Sequence, residues 1–530
     1  SAAQSGAYAI TAATPDGARS AISTDATTYV SGSDMLITVT LKDGQDNAVT
    51  GAAASLTAVT VTVPNAILKA GSRWRDNGDG TYTATYTAAT AGTELRATVR
   101  LSGRGNPASS DAYAITAATP DGARSAISTD ATTYVSGSDM AVTVTLKDGQ
   151  DNAVTGAAAS LTADTVTVPN AILKAGSRWR DNGDGTYTAA YTAATTGTGL
   201  KATVRLSGWG TATQSGAYAI TAATPDGAKS AVSTDATTYV SGSDMAVTVT
   251  LKDGQDNAVT GAAASLTADT VTVPNATLKG RWTESGNGAY TATYTAATAG
   301  MDLKATVRLG GWATAAQSDK YGIILGYEAP ASINTQVNAY TFTQTSEEGT
   351  FPTTGFTGAT FTIVPKDSKS VTDYTWTSDA SWVSVTDGVV KFTGTGTGDK
   401  VTITGMPTSS QGNIIKYSFT LKSWFIHSGS TRMSWSDANT YCSSQSGYSL
   451  PTVAQMILRT NTATRGRGTG ALWNEWGMMT RYTSARFSDN TYWSSDQLSS
   501  GSHNNVSLRN GGVYFSSDSS EINVVCRQGL

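Results

Sequence analysis

The 530-residue chain contains only two cysteines, two histidines and 12 prolines, and 14% of its residues carry a charge. Each shortage excludes something. Scarce His and Cys remove the commonest acid–base and thiol machinery, and no metal-spaced His pair or Gly-x-Ser-x-Gly elbow is present. A net charge of −4 without a basic block argues against capture of nucleic acid or an anionic membrane surface. No apolar run approaches the roughly 18 residues that a membrane-spanning helix needs. Ser1 is followed by neither a charged nor an apolar leader segment, so the chain reads as an exported segment of something larger.

What remains is rich in Thr, Ser, Ala and Gly, which suits short strands and tight turns and makes poor amphipathic helix. At this length three to five domains are expected. The cysteines, Cys442 and Cys526, are too far apart for a CxxC motif. They could be two buried thiols, a redox pair or a disulfide. The disulfide is the preferred reading and implies an oxidising compartment.

Internal repeats dominate the first three fifths. The segment beginning Ala7-Tyr8-Ala9-Ile10-Thr11 returns at Ala112 and Ala217, so Tyr8, Tyr113 and Tyr218 recur every 105 residues. A weaker echo lies at Ser318–Ile323. It comes two residues early, because Lys69-Ala70-Gly71-Ser72-Arg73-Trp74 shortens to Lys279-Gly280-Arg281-Trp282 in the third copy. The opening SAAQSG resembles TATQSG at the second boundary, which suggests a further copy upstream.

A period of this size fits an immunoglobulin-like sandwich. Ile37, Val39 and Leu41 alternate with Thr38 and Thr40, and Tyr82, Ala84 and Tyr86 alternate with threonines. Each set predicts a strand with one buried face. Leu95, Ala97, Val99 and Leu101 are read as a last strand. Trp74, Trp179 and Trp282 are expected in the cores. The Asp43-Gly44-Gln45-Asp46-Asn47 loop, kept in all three copies, reads as a turn, with calcium at a module junction as the alternative. Near-identical copies without His or Cys read as a spacer, and no cofactor or metal is expected.

Residues 331–422 lose the repeat but keep strand-like runs such as Phe361-Thr362-Ile363-Val364 and Tyr417-Ser418-Phe419-Thr420-Leu421. From Trp424 the pattern changes. Trp435 to Cys442 predicts a short helix capped by Ser434 or Ser436, and Pro451 to Leu458 a second helix with Pro in its first turn. A Trp-rich middle and a final strand ending in Cys526 follow. Trp473, Trp476 and Trp493 are read as the core of this small domain.

These runs, with the Asn-Gly-Asp-Gly hairpins of the repeats and the WSDANTYC, LPT, LWNEWG, YWSS and VVC segments, resemble the extracellular passenger of the invasin/intimin family. The resemblance implies a mostly β protein: tandem immunoglobulin-like sandwiches forming an extended rod, capped by an α+β C-type-lectin-like domain. The repeats and the changes of pattern give the divisions 1–108, 109–213 and 214–316 for three repeats, 317–422 for a divergent immunoglobulin-like domain and 423–530 for the tip. The resemblance also implies an outer-membrane anchor upstream, a place on the bacterial surface, and a host-cell surface protein as partner. Calcium-dependent sugar-binding lectins use Glu-Pro-Asn or Gln-Pro-Asp and Trp-Asn-Asp motifs, and this tip has none of them. The stretch Ser443–Ser449, where an integrin-binding tip is expected to present an aspartate, holds no acid.

A protein-binding tip should combine aromatic and arginine side chains on loops. The candidate contacts are Arg465, Arg467, Arg481, Tyr482, Arg486, Asp489, Tyr492, Asp496, His503, Asn504, Asn505, Arg509 and Tyr514. Two competing readings are a hydrolase built on His427 and His503, and self-association through the repeats.

Overall fold

The computed structural model describes residues 2–101, 106–335, 340–458 and 466–530. By contacts the chain divides into two compact units, Ser1–Ser230 with Leu251–Gly261, and Ala231–Thr250 with Ala262–Leu530. Both are mostly β.

In the first unit the period-two sequence becomes a sheet in the order Ala21–Thr24, Asp34–Thr40, Thr81–Ala88, Ala66–Leu68. The register pairs Met35 with Tyr86, Ile37 with Ala84 and Val39 with Tyr82, so all six side chains face inward. Trp74 is buried and packs against Tyr86. The second copy repeats the arrangement, with Asp139–Thr145 beside Thr186–Ala193.

The sequence period and the sandwich are out of phase. The strand Tyr113–Thr116 runs parallel to Thr28–Val30 and antiparallel to Gly92–Leu95, so it completes the first sandwich. The Tyr113 hydroxyl donates to the Pro64 carbonyl at 2.6 Å, and its ring meets Tyr29 edge-on. Tyr218–Thr221 does the same for the second sandwich. Divisions at 108/109 and 213/214 therefore fall ahead of each sandwich's closing strand, because a repeat fixes a period and leaves its starting point open. The last strand expected over Leu95–Leu101 is instead two short strands in different sheets, Gly92–Leu95 and Thr98–Val99.

In the second unit Asp244–Thr250, Ala289–Ala296 and Ala276–Gly286 form the corresponding sheet of the third copy, and Tyr321–Ile324 closes it against Thr238–Val240 and Gly300–Leu303. The fourth module has a four-stranded and a five-stranded sheet. Beyond it a sheet ordered Thr354–Gly355, Ser423–Met433, Ile522–Gly529, Thr491–Ser499, Ser502–Ser507, Val513–Ser517 carries the helix Trp435–Ser444. Ser434 caps that helix by accepting from the Asp437 N–H. The second helix is a single turn, Val453–Met456, closed by a capping box between Thr452 and Gln455. The Trp-rich middle supplies a third, Leu472–Trp476.

The first strand of this tip sheet, Thr354–Gly355, comes from the fourth module and runs parallel to Ser423–Trp424. One apolar core joins Ile333, Phe351, Phe361, Phe392 and Tyr417 of that module to Trp424, Trp476, Tyr482 and Tyr492 of the tip. A division at 422/423 cuts through this core.

Candidate functional site

The disulfide Cys442–Cys526 ties the helix Trp435–Ser444 to the final strand, with a Cα–Cα distance of 5.3 Å. Both sulfurs are buried with Ala438, Leu450, Trp493 and Val524 in a small second core.

The join between the fourth module and the tip is organised by a residue that the sequence analysis passed over. Glu475 is fully buried in the short helix Leu472–Trp476. Its carboxylate accepts from the N–H and hydroxyl groups of Thr353 and Thr354 and from the Gly470 N–H at 2.8 Å. Burial pushes its carboxyl above the usual range, against the opposing pull of those donors. The neighbouring Trp476 donates its indole N–H to Thr354. The only trace in sequence is an acid set among Leu472, Trp473 and Trp476.

The structure sorts the candidate contacts sharply. Arg465 lies outside the described residues. Arg467 is committed to the fold: it donates to the carbonyls of Asn474 and Glu475 and to Thr335, and its guanidinium lies over the Tyr340 ring at 4.8 Å. Tyr482 and Tyr492 are buried; the first donates to the Trp476 carbonyl, and the second accepts from the Ser488 N–H. Asp496 caps the helix Val453–Met456 by accepting the Val453 N–H at 2.7 Å. His503 is buried, stacked on Trp435 at 3.7 Å, with Nδ1 2.7 Å from an Asp518 carboxylate oxygen. Asn505 is buried and donates to Ser516. His427 is held elsewhere, with Nε2 on the Ala485 carbonyl and Nδ1 accepting from the Gly429 N–H.

The remaining candidates are accessible. Arg481 and Arg486 are exposed, Asn504 is half-buried, and Asp489 forms an exposed ion pair with Arg509 at 3.0 Å. Tyr514 is 49% exposed on the strand Val513–Ser517. Its neighbour Phe515, which the sequence analysis missed, is 66% exposed and stands opposite Asn504. Consecutive aromatics in a strand point to opposite faces, so one of such a pair commonly lies outside the core. That strand ends its sheet, and its outer edge is unpaired among the described residues.

In the second and third copies the loop corresponding to Asp43–Asn47 is a junction clamp. Asp148 accepts from the Ala118, Gln150 and Asn152 N–H groups and from the Asn152 side chain. N–H donors thus take up the carboxylate, where calcium needs oxygens. Oriented this way, Asn152 donates to Ser31 and to the Ala89 carbonyl of the first sandwich and accepts from the Ala91 N–H, each at 2.8 Å. Asn257 repeats the contact with Ser136, Ala194 and Thr196. For Asp148 burial raises the carboxyl, but the hydrogen bonds from Asn152, Ala118 and Gln150 outweigh it and hold it below its ordinary 3.8.

Asn152→Ala should speed hydrogen exchange at the Ala91 N–H about tenfold, the equivalent of roughly 1.4 kcal/mol, within the range for a lost buried acceptor. The Thr196 N–H, held by Asn257, should not change. Because the folded carboxyl of Asp148 is depressed, its contribution is complete above the ordinary value and is lost as pH falls through the folded one. Protection of the Ala91 N–H relative to its intrinsic exchange rate should therefore weaken only as pH falls below the ordinary carboxyl value.

Three comparisons bear on this arrangement. The family described as invasin, domain 4, matches residues 332–419. The inverse autotransporter adhesin YeeJ of Escherichia coli (strain K12) is 37% identical over 167 residues, which is 31% of this chain and 7% of that protein. The crystal structure of invasin, a bacterial integrin-binding protein, superposes with a TM-score of 0.55 at 20% identity and covers 96% of this chain and 99% of invasin's.

Residues 332–419 match the family of invasin domain 4, and the chain shares the fold of invasin.

A fragment of intimin, solved with the intimin-binding domain of its translocated receptor, covers 56% of this chain and 98% of its own at 17% identity and a TM-score of 0.33. The invasin likeness establishes a shared fold of tandem sandwiches. The domain 4 match spans the module whose core continues into the tip. These relatives are adhesins and integrin- or receptor-binding proteins, not enzymes.

Proposed function

We propose that the chain is part of a bacterial surface adhesin, displayed from an outer-membrane protein, in which the repeats are a spacer. The fourth module and the tip together present a binding face to a host-cell surface protein. The observation that carries the reading is the edge strand Val513–Ser517. It shows two solvent-facing aromatics, Tyr514 and Phe515, and has neither the charge nor the proline that normally blunts an edge. Exposed aromatics are the residue type from which interface hot spots are drawn. YeeJ is named an adhesin and invasin an integrin-binding protein, which supports the class of function. The receptor here is a different question, since Ser443–Ser449 offers no acid.

The test compares residues 317–530 with the full chain for binding to cultured mammalian cells. Phe515→Ala and Tyr514→Ala together should weaken binding at least thirtyfold, the effect of losing a hot spot of about 2 kcal/mol. Arg481→Ala and Arg486→Ala should have smaller effects. Unchanged binding by the aromatic double variant sinks the assignment of this strand.

One observation favours self-association as a second reading. Ile67 and Ile172, both 66% exposed, lie on the edge strands Ala66–Leu68 and Ala171–Leu173 of the first two copies. If display of residues 2–316 alone makes cells clump, and Ile67→Lys with Ile172→Lys abolishes the clumping, that reading leads.

A further inference from the structure

The third copy is shorter than the first two at one place, and a groove lies beside it. In the first copy the loop Lys69 to Trp74 folds back on itself: the Ser72 N–H donates to the Lys69 carbonyl, and the Ser72 hydroxyl accepts from the Thr85 N–H at 2.9 Å. The third copy is two residues shorter here and has no serine at that position. Its strand runs on as Ala276–Gly286, with a register shift between Lys279 and Thr283 and Gly280 at a φ of 103°. Between this strand and the turn Ala263–Ser265 lies a groove of about 590 Å³.

Its chemistry is uneven. Ala263, Leu266, Leu278 and Trp282 make an apolar lining, with Arg281 and Glu284 beside them. The Trp282 indole is buried and packs against the Tyr294 ring. Arg281 is exposed and makes no ion pair among the described residues. The volume lies within the range of small-molecule sites, roughly 300–1,000 Å³.

We infer that the third copy binds a small amphipathic monoanion through this groove. The apolar body lies on Leu278, Leu266 and Trp282, and the carboxylate meets the Arg281 guanidinium, which suits that group geometrically. Glu284 on the same rim repels a second negative charge. The shared chemistry, one carboxylate on an apolar body, occurs in both steroid acids and fatty acids. This inference is independent of receptor binding by the tip.

The experiment titrates the full chain with deoxycholate and, separately, with decanoate, each below its micelle concentration, by calorimetry and ligand-detected NMR. Binding of deoxycholate alone assigns a rigid steroid acid, binding of decanoate alone a flexible chain, and binding of both the shared chemistry. Arg281→Ala should weaken binding about tenfold, as loss of one charge-assisted hydrogen bond predicts. Replacing Gly280 by Ala-Gly-Ser, the loop of the first copy, should abolish it; that loop already folds in a near-identical sandwich, and circular dichroism checks that it does so here. No binding of either probe, or binding untouched by the graft, overturns the site. Loss with the graft but not with Arg281→Ala overturns the carboxylate assignment.

Discussion

Glu475→Ala should destabilise the fourth module and the tip together by about 3–5 kcal/mol, because it strands the N–H groups of Thr353, Thr354 and Gly470 at roughly 1–3 kcal/mol each. Glu475→Gln keeps the shape but turns an NH2 toward these same donors, so it should cost less than Ala and still cost something. The measurement is chemical denaturation of residues 317–530, which should unfold in a single transition in the parent and in both variants. The same geometry predicts the fate of an isolated tip. Trp476 sits 5.0 Å from Phe351, 5.3 Å from Phe356 and 5.9 Å from Phe392, all residues of the preceding module. A fragment of residues 423–530 loses those neighbours, together with the strand Thr354–Gly355 that begins its sheet. It should show weak near-ultraviolet dichroism and bind apolar dyes, whereas 317–530 should not. A cooperatively folded 423–530 with unaltered stability refutes the shared core.

Period-two alternation made the strands legible because burial in a sandwich repeats with the side chains themselves. Met35, Ile37 and Val39 can be read as one inward face without knowing what they meet. The closing strand Tyr113–Thr116 has the same local pattern, yet nothing in it says that its partners, Thr28–Val30 and Gly92–Leu95, lie upstream. Trp476 shows the same limit at longer range. Its type announces a core residue, but its acceptor is Thr354, 122 positions away.

Several candidate contacts are held within the fold for a related reason. Arg467, His503 and Tyr492 have the right chemistry for an interface, and chemistry alone does not distinguish a side chain offered to a partner from one spent on the fold. Arg467 is spent on Glu475 and Asn474 carbonyls, and His503 on Trp435 and Asp518. Phe515 was missed for the opposite reason: in a strand next to Tyr514, an aromatic reads as core until the edge position of that strand is known.

Removing the disulfide, by Cys442→Ala with Cys526→Ala, should cost the second unit's tip about 4–5 kcal/mol, the chain-entropy value for a closed loop of this length. The separation is 84 residues, and the loop encloses nearly every element of the tip between the helix Trp435–Ser444 and the last strand. The repeats contain no cysteine, so their unfolding should be identical in parent and variant and serves as the internal control. Both sulfurs are buried, so a reductant should act slowly on the folded chain and quickly once denaturant opens the tip. The expected result is a lower denaturation midpoint for 317–530 in the double variant. Because the fourth module and the tip share one core, the loss should appear in both parts of that fragment at once. A cost below about 1 kcal/mol would mean that the unfolded loop is already held compact without the bond. A cost confined to the tip, with the fourth module's signals unmoved, would mean that Trp476 and Glu475 join the two less tightly than their burial implies.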